Sequence, residues 1–206
     1  MFALVESGSI TQMINGNTGI TVDGVQHPRT IFTLWTEAER NAIGIYTVEI
    51  DESKKKDEKW YINTNITYAF SGGKVTGSYG DATAKAHADT LYTEQNKTDG
   101  KIPEDKDVGD VAVEGLKTVL IREVKKQAQN ELNITDWYIT RKAEKDTAIP
   151  SSITTHRDAV RAKQAEMETA ITNASDTPAL ETLYTWTRQE DGSVTRPLGE
   201  LPTLED

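Results

Sequence analysis

Three histidines, His27, His87 and His156, are the side chains of this sequence best suited to ligating a metal or moving a proton near neutral pH. They fall in three different segments, and none has a second histidine at metal-ligand spacing. Ordinary packing is the expected role of each, with no metal site. Cysteine is absent, which removes disulfides, thiolate nucleophiles and cysteine-held zinc together. Asp105-Lys-Asp107-Val-Gly109-Asp110 resembles a calcium loop in its carboxylate spacing. Its glycine stands one position early, however, and Leu116 occupies the place where a bidentate carboxylate belongs. Ser71-Gly72-Gly73-Lys74 lacks the phosphate-loop spacing and leads into a β-prone run, so it reads as a hairpin turn. No Gly-x-Ser-x-Gly nucleophile signature occurs, and nothing selects a carboxylate pair for acid–base work. The expectation is a protein that is not an enzyme, with no catalytic, cofactor-binding or metal-binding residues.

The remaining residues of interest are those suited to contact. Trp137 follows a Thr135-Asp136 helix start, with Tyr138 beside it and Arg141 and Glu144 three apart on one face. An aromatic at a helix start folds back onto its neighbour more often than it anchors a partner, so intrachain packing is the first reading and a partner anchor the second. Trp35 reads as core, while Trp60 and Trp186 fit either role. Leu120 and Val124 lie on a narrow apolar stripe that is compatible with helix pairing between chains. The candidate partner contacts are thus Trp137, Tyr138, Arg141, Leu120 and Val124.

Two kinds of element must position these residues. In the first 80 residues, short β-prone runs are punctuated by Ser7-Gly8, Asn15-Gly16 and Asp23-Gly24, which supply the positive φ angles of tight hairpins. Thr36 and Glu39 have capping-box spacing, and Gly44 ends the helical turns they open. Ile45 to Ile50, Trp60 to Phe70 and Lys74 to Tyr79 follow as strands. From Val111 the period changes: Val113, Leu116, Leu120 and Val124 fall three and four apart, predicting an amphipathic helix. A second helix is expected from Asp136 as N-cap, a third from about Ser152 to Asn173, and a fourth at Thr177-Pro178. The fold class is therefore α+β. A small antiparallel β-rich domain over 1–80 precedes a linker over 81–112, with a helix expected over Asp81 to Gln95. A helical hairpin or small bundle occupies 113–186, and 187–206 is an extended tail.

Bulk properties exclude further classes. A net charge of −10 argues against nucleic acid, whose phosphates dominate binding. Lys54-Lys55-Lys56 is cancelled locally by Asp51-Glu52 and Asp57-Glu58 and reads as a solvated loop. No apolar run reaches the roughly 18 residues of a membrane span. The N-terminus carries Glu6 and no basic region, unlike a signal peptide. Synthesis in the cytoplasm, with no membrane insertion, is the expectation.

Two segments carry a resemblance. Leu132-Asn-Ile-Thr135-Asp136-Trp137-Tyr138-Ile-Thr-Arg141-Lys142-Ala-Glu144, then Ala148-Ile149-Pro150, then Arg157-Asp-Ala-Val160-Arg161, resembles a helical module of tailed-bacteriophage tail-fibre assembly or tail-assembly chaperone-like proteins, found also in phage tail structural proteins. Ile31 to Tyr46 looks like the start of such proteins. The likeness covers roughly 28–50 and 112–186. It implies work by protein–protein contact with other phage tail or fibre proteins, or with copies of the same chain. One role is a structural or adaptor component of the virion, at the tail fibre or baseplate. The other is an assembly chaperone that stays in the host cytoplasm.

Overall fold

The structure, a computed structural model, describes residues 1–204. The chain divides into two units, 1–83 and 84–206.

The first unit grows from an apolar run that does not alternate. β1 (Phe2–Glu6) has Ala3, Leu4 and Val5 all buried, so both of its faces are covered. Ser7 and Gly8, with φ of 49° and 78°, reverse the chain into β2 (Ser9–Ile14), as a two-residue hairpin turn requires. β3 (Ile20–Val22) and β4 (Val25–His27) form a second hairpin through Asp23-Gly24. α1 (Ile31–Leu34) and α2 (Glu37–Ala42) follow. The capping box of α2 is present: the Glu39 amide donates to Thr36 Oγ1 at 3.3 Å and the Thr36 amide to Glu39 Oε2 at 2.7 Å. The Thr36 amide first, and then the Thr36 hydroxyl, which donates to Glu39 Oε2 at 2.8 Å, hold the Glu39 carboxyl below its usual pKa.

β5 (Ile45–Asp51), β6 (Tyr61–Ile62), β7 (Thr67–Ser71) and β8 (Lys74–Ser78) complete the unit. The strand order is β2-β1-β5-β8-β7. The sheet is mixed, not wholly antiparallel as expected: β5 and β8 run parallel, Val48 beside Val75. The Gly72-Gly73 turn reverses the chain once more, so the β7–β8 hairpin joins β5 through its second strand. The outer strands β2 and β7 also touch, so the sheet curls. Ala3, Val5 and Val75 fill the inside with Ile10, Tyr46, Val48 and Phe70 against them. Leu4, Ile14 and Ile45 face the other way, under Ile20, Val22, Ile31 and Phe32. Each fully buried Ile or Leu contributes about 1.5–3 kcal/mol relative to exposure. Trp35 packs on this second cluster, as expected of it, with His27 edge-on at 5.6 Å.

The strand expected over Trp60 to Phe70 is interrupted. Asn63 clasps the preceding loop, its side chain exchanging bonds with the Lys56 amide (2.9 Å) and carbonyl (2.8 Å). An asparagine bonded to a loop backbone in this way leaves the strand path, and β7 begins only at Thr67.

In the second unit the expected linker is structured. β9 (Thr83–Ala84) stands at the division in sequence. β10 (Thr90–Leu91) pairs antiparallel with β11 (Val111–Val113) around α3 (Glu94–Thr98). The helix expected over Asp81 to Gln95 is absent, because this segment bonds elsewhere. α4 (Leu116–Asn133) starts at Gly115, which has no side chain to cap it. Its first N–H groups are satisfied by the segment in question: Leu116 N–H by the Ala86 carbonyl and Lys117 N–H by the His87 carbonyl, both at 3.0 Å. Asp89 accepts from the Gly115 amide at 2.6 Å and from Thr118 Oγ1 at 2.8 Å. Only glycine fits at 115, since a Cβ there would lie 2.3 Å from the Ala88 carbonyl.

α5 (Asp136–Lys145), α6 (Ser151–Asn173) and α7 (Thr177–Tyr184) follow. α4 and α6 pack antiparallel, as Lys117 bonds to the Thr172 carbonyl, Lys125 pairs with Glu168, and Arg157 reaches the Leu132 carbonyl. Asp176 caps α7 and Pro178 lies in its first turn. The tail expected to be extended over 187–206 is in part folded. β12 (Thr187–Arg188) and β13 (Val194–Thr195) form a hairpin, and Leu198 is buried with its N–H on the Leu183 carbonyl. Residues 205 and 206 of that tail lie outside the described residues.

Candidate interaction site

The corner between α4 and α5 is closed by an arginine from a third helix. Arg157, on α6, is only 8% exposed. Its Nη1 donates to the Leu132 carbonyl (2.8 Å), Thr135 Oγ1 (2.7 Å) and Asp136 Oδ1 (2.8 Å). The Thr135 hydroxyl in turn donates to the Leu132 carbonyl at 2.9 Å. One cation thus satisfies a terminal carbonyl of α4 and fixes the start of α5, and Asp136 compensates its burial. The cap of α5 is Thr135, one residue earlier than expected, and its hydroxyl points back into the corner instead of capping the helix. Thr135, Asp136 and Arg157 therefore meet at a single nitrogen.

Beyond this corner, α5 buries nothing. Trp137 is 51% exposed, which overturns the reading of it as a packing residue. Its ring instead lies against Tyr138, with centroids 4.0 Å apart, and the Arg141 guanidinium sits 4.6 Å from the Trp137 ring and 5.2 Å from that of Tyr138. Arg157, not Trp137, makes the bonds between α6 and the start of α5. Ile134 and Ile139 are also exposed.

Leu120 and Val124 show the opposite correction. Each is 2% exposed, on the face of α4 that lies against α6, so neither is open to a partner. The stripe is narrow because its apolar area is consumed within the unit. Of the five candidate contacts, the structure brings Trp137, Tyr138 and Arg141 together at the surface and places Leu120 and Val124 in the core.

Other features carry less chemistry. Asp107 and Asp110 bond to one another's loop, the Asp107 amide donating to Asp110 Oδ2 at 2.9 Å. Among the described residues no group of three or more His, Cys, Asp or Glu is placed to hold a metal ion. His156 is nearly buried within α6, as a packing residue would be. Trp60, which fitted either role, is buried together with Tyr61 and is a core residue. An open groove of about 700 Å³ runs along α6, lined by Leu132, Arg161, Gln164, Glu168, Thr169 and Thr172, without converging catalytic groups. No described helix is long and apolar enough to cross a membrane.

Two residues missed by sequence reasoning anchor the unit. Arg196 stacks 5.1 Å from both the Tyr184 and Trp186 rings and pairs with Glu200 at 2.6 Å. Burial, then the Glu123 charge, pushes the Tyr184 hydroxyl up to about 12, with Arg196 opposing. Asp89 is held below the usual carboxylate range, first by the Gly115 amide and then by the Thr118 hydroxyl, against a smaller effect of desolvation. Neither residue stands in a motif, so only their spatial partners reveal them. No protein-family model, curated protein or solved structure matches this chain.

Proposed function

We propose that this chain is a non-enzymatic component of a bacteriophage tail, associated with the fibre or baseplate, that works by protein–protein contact and stays in the virion. One observation carries the contact role: α5 is held at a clamped corner and buries no residue, leaving Trp137 half-exposed with Arg141 stacked on it. Exposed tryptophan and arginine side by side are the residue types that dominate binding hot spots. The viral setting rests on the likeness of residues 28–50 and 112–186 to phage tail proteins. Two units, each with its own buried residues, suit an adaptor that contacts more than one neighbour.

On this reading the chain is made in the host cytoplasm and carried in the virion tail. Quantitative mass spectrometry of purified virions tests it, with the chain expected at a fixed stoichiometry to the other tail proteins. Its absence from virions, together with recovery alongside fibre protein in infected cells, would replace the structural role with that of an assembly chaperone.

A further inference from the structure

We infer that the occupant of the exposed face of α5 is α5 of a second copy of this chain, paired antiparallel. This deepens the contact reading by naming the partner, and does not depend on the viral setting. The helix is ten residues long with none buried, a length that is marginal without packing on something else. Trp137, Arg141 and Glu144 stand at i, i+4 and i+7, on one face. The other charges of α5 with geometric partners are already used: Asp136 by Arg157, and Lys142 by Asp146 at 2.5 Å. Arg141 is left resting on two rings, with its Nε buried and without a hydrogen-bond acceptor. Glu144 is exposed on the same face.

This face is complementary to itself. A twofold axis between Arg141 and Glu144 sets the arginine of each copy against the glutamate of the other, twice. Isologous contacts of this kind close as dimers. A contact of three helical turns is smaller than a standard interface, so the expected dissociation constant is about 100 µM.

The test is sedimentation equilibrium of the full chain from about 1 µM to about 1 mM. Wild type is expected to shift from monomer to dimer across this range. Arg141→Glu and Glu144→Arg alone each bring like charges together and are expected to weaken association at least tenfold. Mixed one to one, the two variants restore both opposite-charge contacts and should form a heterodimer at least as tight as the wild-type dimer. Circular dichroism of each variant confirms that the helices are retained; should Arg141→Glu unfold, Arg141→Gln and Trp137→Ala are read in its place, each expected to weaken association. A strict monomer at about 1 mM, or dimerisation unaffected by these changes, or a mixture that stays monomeric, overturns self-pairing. None of these outcomes alters whether the chain is found in virions, which the mass spectrometry decides separately.

Discussion

α4 and α5 adjoin across a single turn, yet they use their apolar residues in opposite ways. α4 spans 18 residues and turns Leu120, Val124 and Ala128 inward, all at 2% exposure or less. α5 spans ten and turns Trp137 and Ile139 outward. α4 is held at both ends, by Asp89 and the 86–87 carbonyls at its start and by Arg157 at its finish. α5 is held where it begins. The difference shows that apolar residues at helical spacing do not by themselves say whether the chain covers them. In this pair the longer helix found its cover in α6, and the shorter one, steered by Arg157, did not.

Substitutions can break this contrast in order of expected effect. Leu120→Ala removes a fully buried side chain from the α4–α6 contact and should cost about 3 kcal/mol, read as a lower denaturant midpoint for loss of the helical signal. A loss below about 1 kcal/mol would mean that α4 is not the buried member of the pair. Arg157→Ala removes the buried donor shared by the Leu132 carbonyl, Thr135 Oγ1 and Asp136 Oδ1, and should cost about 2 kcal/mol. It should also raise hydrogen exchange in α5 more than in α4.

Asp89 sharpens the comparison through pH. Its folded pKa is depressed by bonds to Gly115 and Thr118, so its stabilisation of α4 is fully present above the unfolded value of about 3.9 and is lost as pH falls through the folded value. Wild type should therefore exceed Asp89→Asn in stability near neutral pH. That gap should narrow as the solution is acidified below the unfolded pKa, and a gap that widened instead would refute the assignment. Trp137→Ala is the smallest case, with stability of the monomer expected to change by only about 0.5 kcal/mol. A large loss would return the indole to a packing role.

The legible parts of this protein were those governed by neighbours in sequence. Thr36 and Glu39 announced their capping box, Ser7-Gly8 and Gly72-Gly73 their hairpins, and Pro178 the opening of α7. The α+β class followed from the change of period near Val113, and the structure has that form. The segment from 81 to 95 misled, because its alanine, lysine and leucine content favours a helix. Its carbonyls and Asp89 are instead engaged at the start of α4, some 26 residues away. The parallel β5–β8 pair was hidden for a similar reason, since strand direction within a sheet depends on the path of a crossover.

At the candidate site the division is equally clear. The sequence by itself determined that Trp137, Tyr138 and Arg141 share the start of one helix, and that the chain has no cysteine for thiol chemistry. Local spacing and composition decide such things, and they need no fold. Only the tertiary structure decided that Leu120 and Val124 are core, that Trp137 is surface, and that Arg157 holds the corner between them. Burial is a property of what lies opposite, and a side chain's opposite face is supplied by residues that the linear order does not place beside it.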